Sequence, residues 1–338
     1  MAAIKKRGKQ SIAFSSPPVI CAWGSVVGPK EGKGPWNEKF DLVLEDYLLG
    51  EKTWERAESR ILEEAVKLAL SKKGLTTGDA ELLLAGDLLN QLVSSNYAAR
   101  ELAIPFLGLY GACSTMAEAL LTGAMLLDGG FYERVVAAAV SHHYTSERQF
   151  RFPTEQGVQK APTAQWTVTG SGAAVLQTAG VGPRITCATI GKVIDLGQTD
   201  PGDMGSAMAP AAVDTLKIHL DDTGRPSDYY DLIITGDLGN VGMALATEMF
   251  VKQGICPKPN YSDCGVLIYD DSQGVNSGGS GCGCAASMLC GPLLKKMADG
   301  EINRLLLIAT GALMSPTVSF QGETIPGIAH AVALENYC

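Results

Sequence analysis

From Pro105 the chain reads Phe106, Leu107, Gly108, Leu109, Tyr110, an apolar run of strand length that ends in Gly111-Ala112. Beyond Cys113 the apolar side chains return at Met116, Leu120, Ala124 and Leu127, the spacing of a helix with one buried face. The same alternation recurs further on. Residues 83–90 (LLAGDLLN) and 233–240 (IITGDLGN) each close an apolar run and open a helical pattern, with Gly, Asp, Leu and Asn in one register. Cys113 to Gly129 and Cys284 to Gly300 span equal intervals, and each is followed by a buried strand pattern, 134–140 (RVVAAAV) and 304–310 (RLLLIAT). Closing strands, 172–176 (GAAVL) and 329–334 (AHAVAL), also correspond. Each half thus predicts the order βαβαβαββ. Strands alternating with helices imply an α/β protein with a mainly parallel sheet covered on both faces. Two such halves, 1–180 and 181–338, are expected to form a five-layer α/β/α/β/α sandwich, divided near 180–183 (GVGP). The longest irregular stretch, 141–166, is expected to be a functional loop or a cap.

Composition narrows the function classes. The chain has 338 residues, 46% apolar, with 39 glycines, which suits a compact fold with many tight turns. A net charge of −9 lacks the basic footprint that nucleic-acid binding needs. No apolar run approaches the ~18–20 residues that span a bilayer, and no signal-peptide core follows the N-terminus. The basic cluster Lys5, Lys6, Arg7 and Lys9 reads as a solvated tail, or as an electrostatic touch on an anionic membrane. Nine scattered cysteines, mostly inside apolar strings as at Cys21, Cys187 and Cys290, suit buried thiols in a reducing, intracellular setting. Cys282 and Cys284, one residue apart and without a second pair, do not have zinc-site spacing. No EF-hand-like carboxylate string is present either, and no metal site is expected.

Cys113 is the first chemical candidate. A strand-to-helix turn offers unpaired N–H groups and the positive end of the helix dipole, which favour a thiolate. Its alternatives are a buried small residue, a ligand wall or vestigial nucleophile, and a working nucleophile. Of the glycine-rich strings, 169–174 (TGSGAA) lacks a third glycine and runs into a strand, so it is not a dinucleotide fingerprint. The other, 278–287 (GGSGCGCAAS), opens a helix without the Lys-Ser/Thr ending of a phosphate loop. Its glycines admit close approach of a ligand or of a neighbouring helix. Asp87 and Asp237, at equivalent strand ends, are expected to cap the helices that follow.

The arrangement resembles thiolases and β-ketoacyl synthases over nearly the whole length. Cys113 matches the acyl-accepting cysteine of that superfamily, and 169–176 resembles its glycine-rich string before the last strand of the first half. The resemblance also implies what is missing. Cys282 stands where those enzymes carry a His or Asn, Gly236 and Asp237 stand where synthases carry a second His, and 321–327 (QGETIPG) lacks the second Cys of thiolases. General-base help is worth roughly 10²–10⁴-fold in rate, and each oxyanion donor about 10²–10³-fold. The chain is therefore expected not to be an enzyme. An acyltransferase using Cys113, with His330 or His142 as base, is the alternative.

Six further strings, 85–91 (AGDLLNQ), 111–115 (GACST), 147–153 (ERQFRFP), 193–197 (VIDLG), 203–212 (DMGSAMAPAA) and 325–330 (IPGIAH), resemble a sporulation branch of this superfamily from spore-forming Firmicutes. That resemblance implies binding of dipicolinate (pyridine-2,6-dicarboxylate), alone or with Ca2+. It also implies membrane-channel partners from the same operon, a peripheral place at the spore inner membrane, and a homodimer formed near the Cys113 string. A scaffold for the channel, with the cleft closed, is the second alternative. For the flat dianion the expected contacts are Cys113, His142, Arg148, Arg151, Cys282, Cys284 and His330. His142 and His330 serve equally as structural histidines, and His143 is expected to be exposed. Arg148 and Arg151, flanked by Phe150 and Phe152, serve either as pins of the long loop or as carboxylate partners. Cys284 is expected to lie buried opposite Cys113.

Overall fold

A computed structural model describes residues 5–151, 160–256 and 259–336. The first half runs β1 (Val19–Val27), α1 (Trp54–Ser71), β2 (Leu82–Gly86), α2 (Val93–Leu102), β3 (Phe106–Gly108), α3 (Thr115–Asp128), β4 (Arg134–Ser141), α4 (His143–Arg151) and β5 (Gly170–Gln177). The second runs β6 (Arg184–Thr189), α5 (Met204–Thr223), β7 (Leu232–Thr235), α6 (Gly239–Lys252), β8 (Tyr261–Asp263), α7 (Cys282–Met288), β9 (Arg304–Ala312) and β10 (Gly327–Glu335). Apart from α4 and some short turns, each half follows the expected order.

The two halves repeat one sheet plan. β2 lies between β3 and β4, parallel to both, and β5 runs antiparallel to β4 and β1. In the second half β7 lies parallel between β8 and β9, and β10 runs antiparallel to β9 and β6. The halves meet where Arg184 of β6 pairs with Val19 of β1. The sheets are therefore mixed rather than mainly parallel. The last two strands of each half are not joined by a helix that crosses over the sheet, and without such a crossover the returning strand runs antiparallel.

α3 and α7 fill the space between the two sheet halves, α1 and α2 cover the outer face of the first, and α5 and α6 cover that of the second. Three hydrophobic clusters follow these layers: Met116, Leu120 and Met288 in the middle, Ile61, Leu62 and Val66 under α1, and Met208, Leu216 and Phe250 under α5 and α6. β4 is buried almost throughout because helices cover both of its faces, which is why its sequence is continuous Val and Ala rather than alternating.

The glycine-rich strings serve this central packing. A Cβ on Gly172 would stand 2.0 Å from the Ala286 carbonyl oxygen, and one on Gly283 would stand 2.3 Å from that of Gly170. The close approach is between β5 and α7. Gly172→Ala is expected to cost about 1–3 kcal/mol through overpacking, read as a lower urea midpoint at unchanged m.

Two expectations change. Residues 141–166 are not one irregular stretch, because α4 occupies 143–151. No Gly or Pro interrupts 143–152, and the His142 carbonyl accepts from Ser146 N at 3.2 Å and Thr145 Oγ1 at 2.9 Å, which secures the first turn. Nor is the basic segment a free tail. Lys6–Arg7 pairs with Ser11–Ala13, which pairs with β6, and Asp222 of α5 accepts the N–H groups of Lys9, Gln10 and Ser11. Among the described residues no helix is long and apolar enough to cross a membrane.

Candidate functional site

The turn between β3 and α3 is tight. Ala112 is held at φ 50°, a region that disfavours a Cβ, by bonds from Ser114 Oγ to Gly111 O (2.6 Å) and from Thr115 Oγ1 to Ala112 O (2.7 Å). This strained turn sets Cys113 in the wall of a cavity of about 40 Å³ at the meeting of the two halves. Tyr110, Leu88, Phe150, Met204, Ala312 and Met314 supply apolar walls. Ser146, Glu147, Gln165, Thr167 and Ser280 supply polar groups. At about 10–15 Å³ per water, the space admits about three waters, so a flat aromatic acid enters only if the walls give.

Behind Cys113 stands Asp237, fully buried. Its carboxylate accepts from Gly281 N (2.8 Å), Thr310 Oγ1 (2.7 Å) and Ser280 Oγ (3.3 Å), and its charge acts on the Cys113 thiol. Burial raises its pKa to about 6 in spite of these bonds. Asp237 therefore does not cap α6 as expected. That task falls to Asp263, which accepts from Leu238 N (2.8 Å) and Gly239 N (3.0 Å) and is pushed by burial to about 7. Asp87, its counterpart in the first half, does bond into a helix start, accepting from Ser95 N at 2.7 Å and Ser95 Oγ at 2.7 Å.

The helix start favours a thiolate at Cys113, and burial opposes it. The residue is 5% exposed, and burial first, then the charges of Asp237 and Cys282, push its thiol well above the ordinary range. A helix terminus contributes ~0.3–1 kcal/mol at most surfaces, too little to offset burial beside a carboxylate.

The other expected contacts scatter. Cys282, at the start of α7, is fully buried, donates its thiol to Val140 O at 2.9 Å, and does not line the cavity. Cys284 is buried beyond it, its thiol raised by burial and then by Cys264, Asp237, Asp263 and Cys113. Gly236 continues β7, its N–H bonded to Ile308 O at 3.0 Å. His142 faces away: Nε2 bonds Tyr47 O at 2.8 Å, Nδ1 accepts from Tyr144 N at 3.2 Å, and burial lowers its pKa to about 4. His143 is buried rather than exposed, stacked on Trp166 with ring centres 3.7 Å apart. His330 lies in β10, accepts from Gly191 N at 3.2 Å, and is likewise lowered to about 4 by burial. Arg148 pairs with Glu55 and lies 5.5 Å from the Trp54 ring, in a groove on the outer side of α4. Arg151 ends α4, and its side chain, like Phe152, lies outside the described residues. Of the expected contacts whose side chains are described, Cys113 alone lines the cavity.

Sequence reasoning missed Ser146, Glu147, Gln165 and the role of Asp237. Glu147 bonds Lys160 Nζ at 2.9 Å, and Lys160 lies 4.7 Å over the Trp166 ring, so an ammonium stands beside a lining carboxylate. Among the described residues no three His, Cys, Asp or Glu side chains gather to hold a metal.

A family model described as stage V sporulation protein AD matches residues 8–335. Stage V sporulation protein AD of Bacillus subtilis (strain 168) is 50% identical over 332 residues, covering 98% of each chain. Among solved structures, 3-oxoacyl-(acyl carrier protein) synthase III from Aquifex aeolicus VF5 superposes with a TM-score of 0.59 at 15% identity, covering 94% of this chain and 99% of its own. A variant of Xanthomonas campestris OleA gives 0.62 at 13% identity, covering 99% and 100%. The fold is that of the thiolase-like synthases.

Proposed function

The chain belongs to the stage V sporulation protein AD family, and from that premise we propose that it is a non-enzymatic binding protein for dipicolinate, held in the cavity beside Cys113. The observation that supports this reading is the burial of Cys113, 5% exposed, where the charge of Asp237 disfavours a thiolate. An acyl-accepting cysteine needs a base or a cation that makes its thiolate. A carboxylate supplies no positive charge to hold a thiolate or an oxyanion, and no His, Lys or Arg is among the described lining residues. What remains is a small cavity with Phe150 and Tyr110 as aromatic walls, which takes a flat ring if those walls give. In this reading a ligand carboxylate competes with Glu147 for the Lys160 ammonium. Calcium enters as the counter-ion of the ligand's carboxylates. The exposed edge strand β3, with Leu107, is the surface proposed for a homodimer. The channel proteins of the same operon, at the spore inner membrane, are the proposed partners.

Calorimetric titration with dipicolinate, with and without calcium, tests the proposal. Phe150→Ala is expected to weaken binding about tenfold by removing an aromatic wall, and Arg148→Ala to leave it unchanged. Loss of binding in Arg148→Ala with Phe150→Ala unaffected would move the ligand to the outer groove. Absence of binding by the wild type would leave the scaffold reading.

A further inference from the structure

The cavity holds two buried polar atoms that none of the described residues satisfies. Gln165 is 5% exposed and Ser146 3% exposed, both line the cavity, and both Gln165 Oε1 and Ser146 Oγ lack a hydrogen-bond partner. An unsatisfied buried polar atom costs ~1–3 kcal/mol, so two at one cavity point to something that fills it.

The orientation of Gln165 is fixed. Its Nε2 donates to Asp237 O at 2.6 Å and to Gly279 O at 2.9 Å. Reversing the amide would set an oxygen against two carbonyl oxygens, so the atom left over is the acceptor. Ser146 has no such restriction, because its hydroxyl rotates to donate or accept. Its neighbour Glu147 is engaged by Lys160.

We infer that Gln165 and Ser146 form a polar subsite that takes a ligand group carrying a donor and an acceptor together, either a carboxyl in its protonated form or a carboxamide. The N–H or O–H of that group meets Gln165 Oε1, and its carbonyl oxygen accepts from Ser146 Oγ. A fully ionised carboxylate offers no hydrogen to Gln165 and stands near the carboxylates of Glu147 and Asp237, so it is the disfavoured form there. The inference rests on the proposed ligand class. It adds that the two ends of that ligand are not treated alike: one end is recognised with its hydrogen in place.

The test compares three compounds on the full chain by calorimetry at one pH: dipicolinate, its mono-amide and its mono-methyl ester. The amide has the donor and the ester lacks it. Wild type is expected to bind the amide at least tenfold tighter than the ester, and Gln165→Leu to abolish that preference. Gln165 also ties two backbone carbonyls, so the thermal midpoint of the variant is measured alongside. Ser146→Ala, which removes a hydroxyl with no bond among the described residues, is expected to weaken amide and ester alike by about threefold or more. Equal affinity of wild type for amide and ester, or a preference that survives in folded Gln165→Leu, overturns the inference. If dipicolinate still binds in that case, the proposed function stands without it. Failure of all three compounds to bind overturns both.

Discussion

Asp237→Asn is expected to speed alkylation of Cys113 at pH 8 by about tenfold or more, relative to exposed Cys256 in the same molecule. Each unit by which a thiol pKa falls toward the ambient pH raises the thiolate fraction about tenfold. Burial is the largest cause of the raised Cys113 pKa, and the Asp237 charge is the next. An amide in its place removes that charge; with its oxygen toward Gly281 N its NH2 faces Thr310 Oγ1, a hydroxyl that can accept instead of donate. The readout is the mass-spectrometric ratio of iodoacetamide adducts at the two cysteines over time. Asp263→Asn serves as the control, because Asp263 is not among the main causes of the raised Cys113 pKa. An unchanged ratio in Asp237→Asn would mean that access alone, and not the carboxylate, keeps Cys113 quiet.

The second large effect concerns stability. Asp263 is fully buried, with its pKa raised from 3.8 to about 7, chiefly by desolvation. For a carboxyl raised on folding, its contribution is fully present below the unfolded value and is lost as pH rises through the folded value. Asn at this position does not titrate. The unfolding free energy of Asp263→Asn minus that of wild type is therefore expected to rise between pH 4 and pH 8, by on the order of 2–4 kcal/mol. The constant cost of setting an amide before four donors cancels in that comparison of pH values. Wild type alone would not reveal the effect. His142, His219 and His330 are lowered by burial to about 4, about 3 and about 4, so their contribution is present above pH 6.5 and is lost as pH falls toward those values. Their slope opposes that of the carboxyls between pH 4 and 6.5. Urea titrations of both proteins at four pH values settle it, and a difference independent of pH would refute the assigned shift.

The repeat was legible because β2 and β7 carry the same Gly-Asp-Leu signature and because each half ends in two strands with corresponding apolar runs. Sheet direction was not, since buried strands with helices on both faces look alike whether parallel or antiparallel. The repeat also misled at one place. Asp87 and Asp237 occupy equivalent positions, yet Asp87 bonds into α2 while Asp237 turns to Cys113 and leaves the cap of α6 to Asp263. Such a difference lies in the partners, Thr310 and Gly281, which are distant in sequence. Cys113 itself was found from its strand-to-helix turn, but its protonation followed from burial, which local pattern does not carry. Gln165 had no signal at all. It belongs to no periodic element, and its importance comes from two carbonyls, Asp237 and Gly279, that only the fold brings beside it. The histidines and arginines near α4 were conspicuous by residue type, whereas the fold sends His142 to Tyr47 and Arg148 to Glu55.

The most direct test of the central proposal, that this cysteine cleft holds a ligand and transfers no acyl group, is the intact mass of the wild-type chain after incubation with acyl-CoA. The expected result is an unchanged mass at times when an active synthase would be fully acylated. A gain of one acyl group that disappears in Cys113→Ala would contradict the account and restore Cys113 as a working nucleophile.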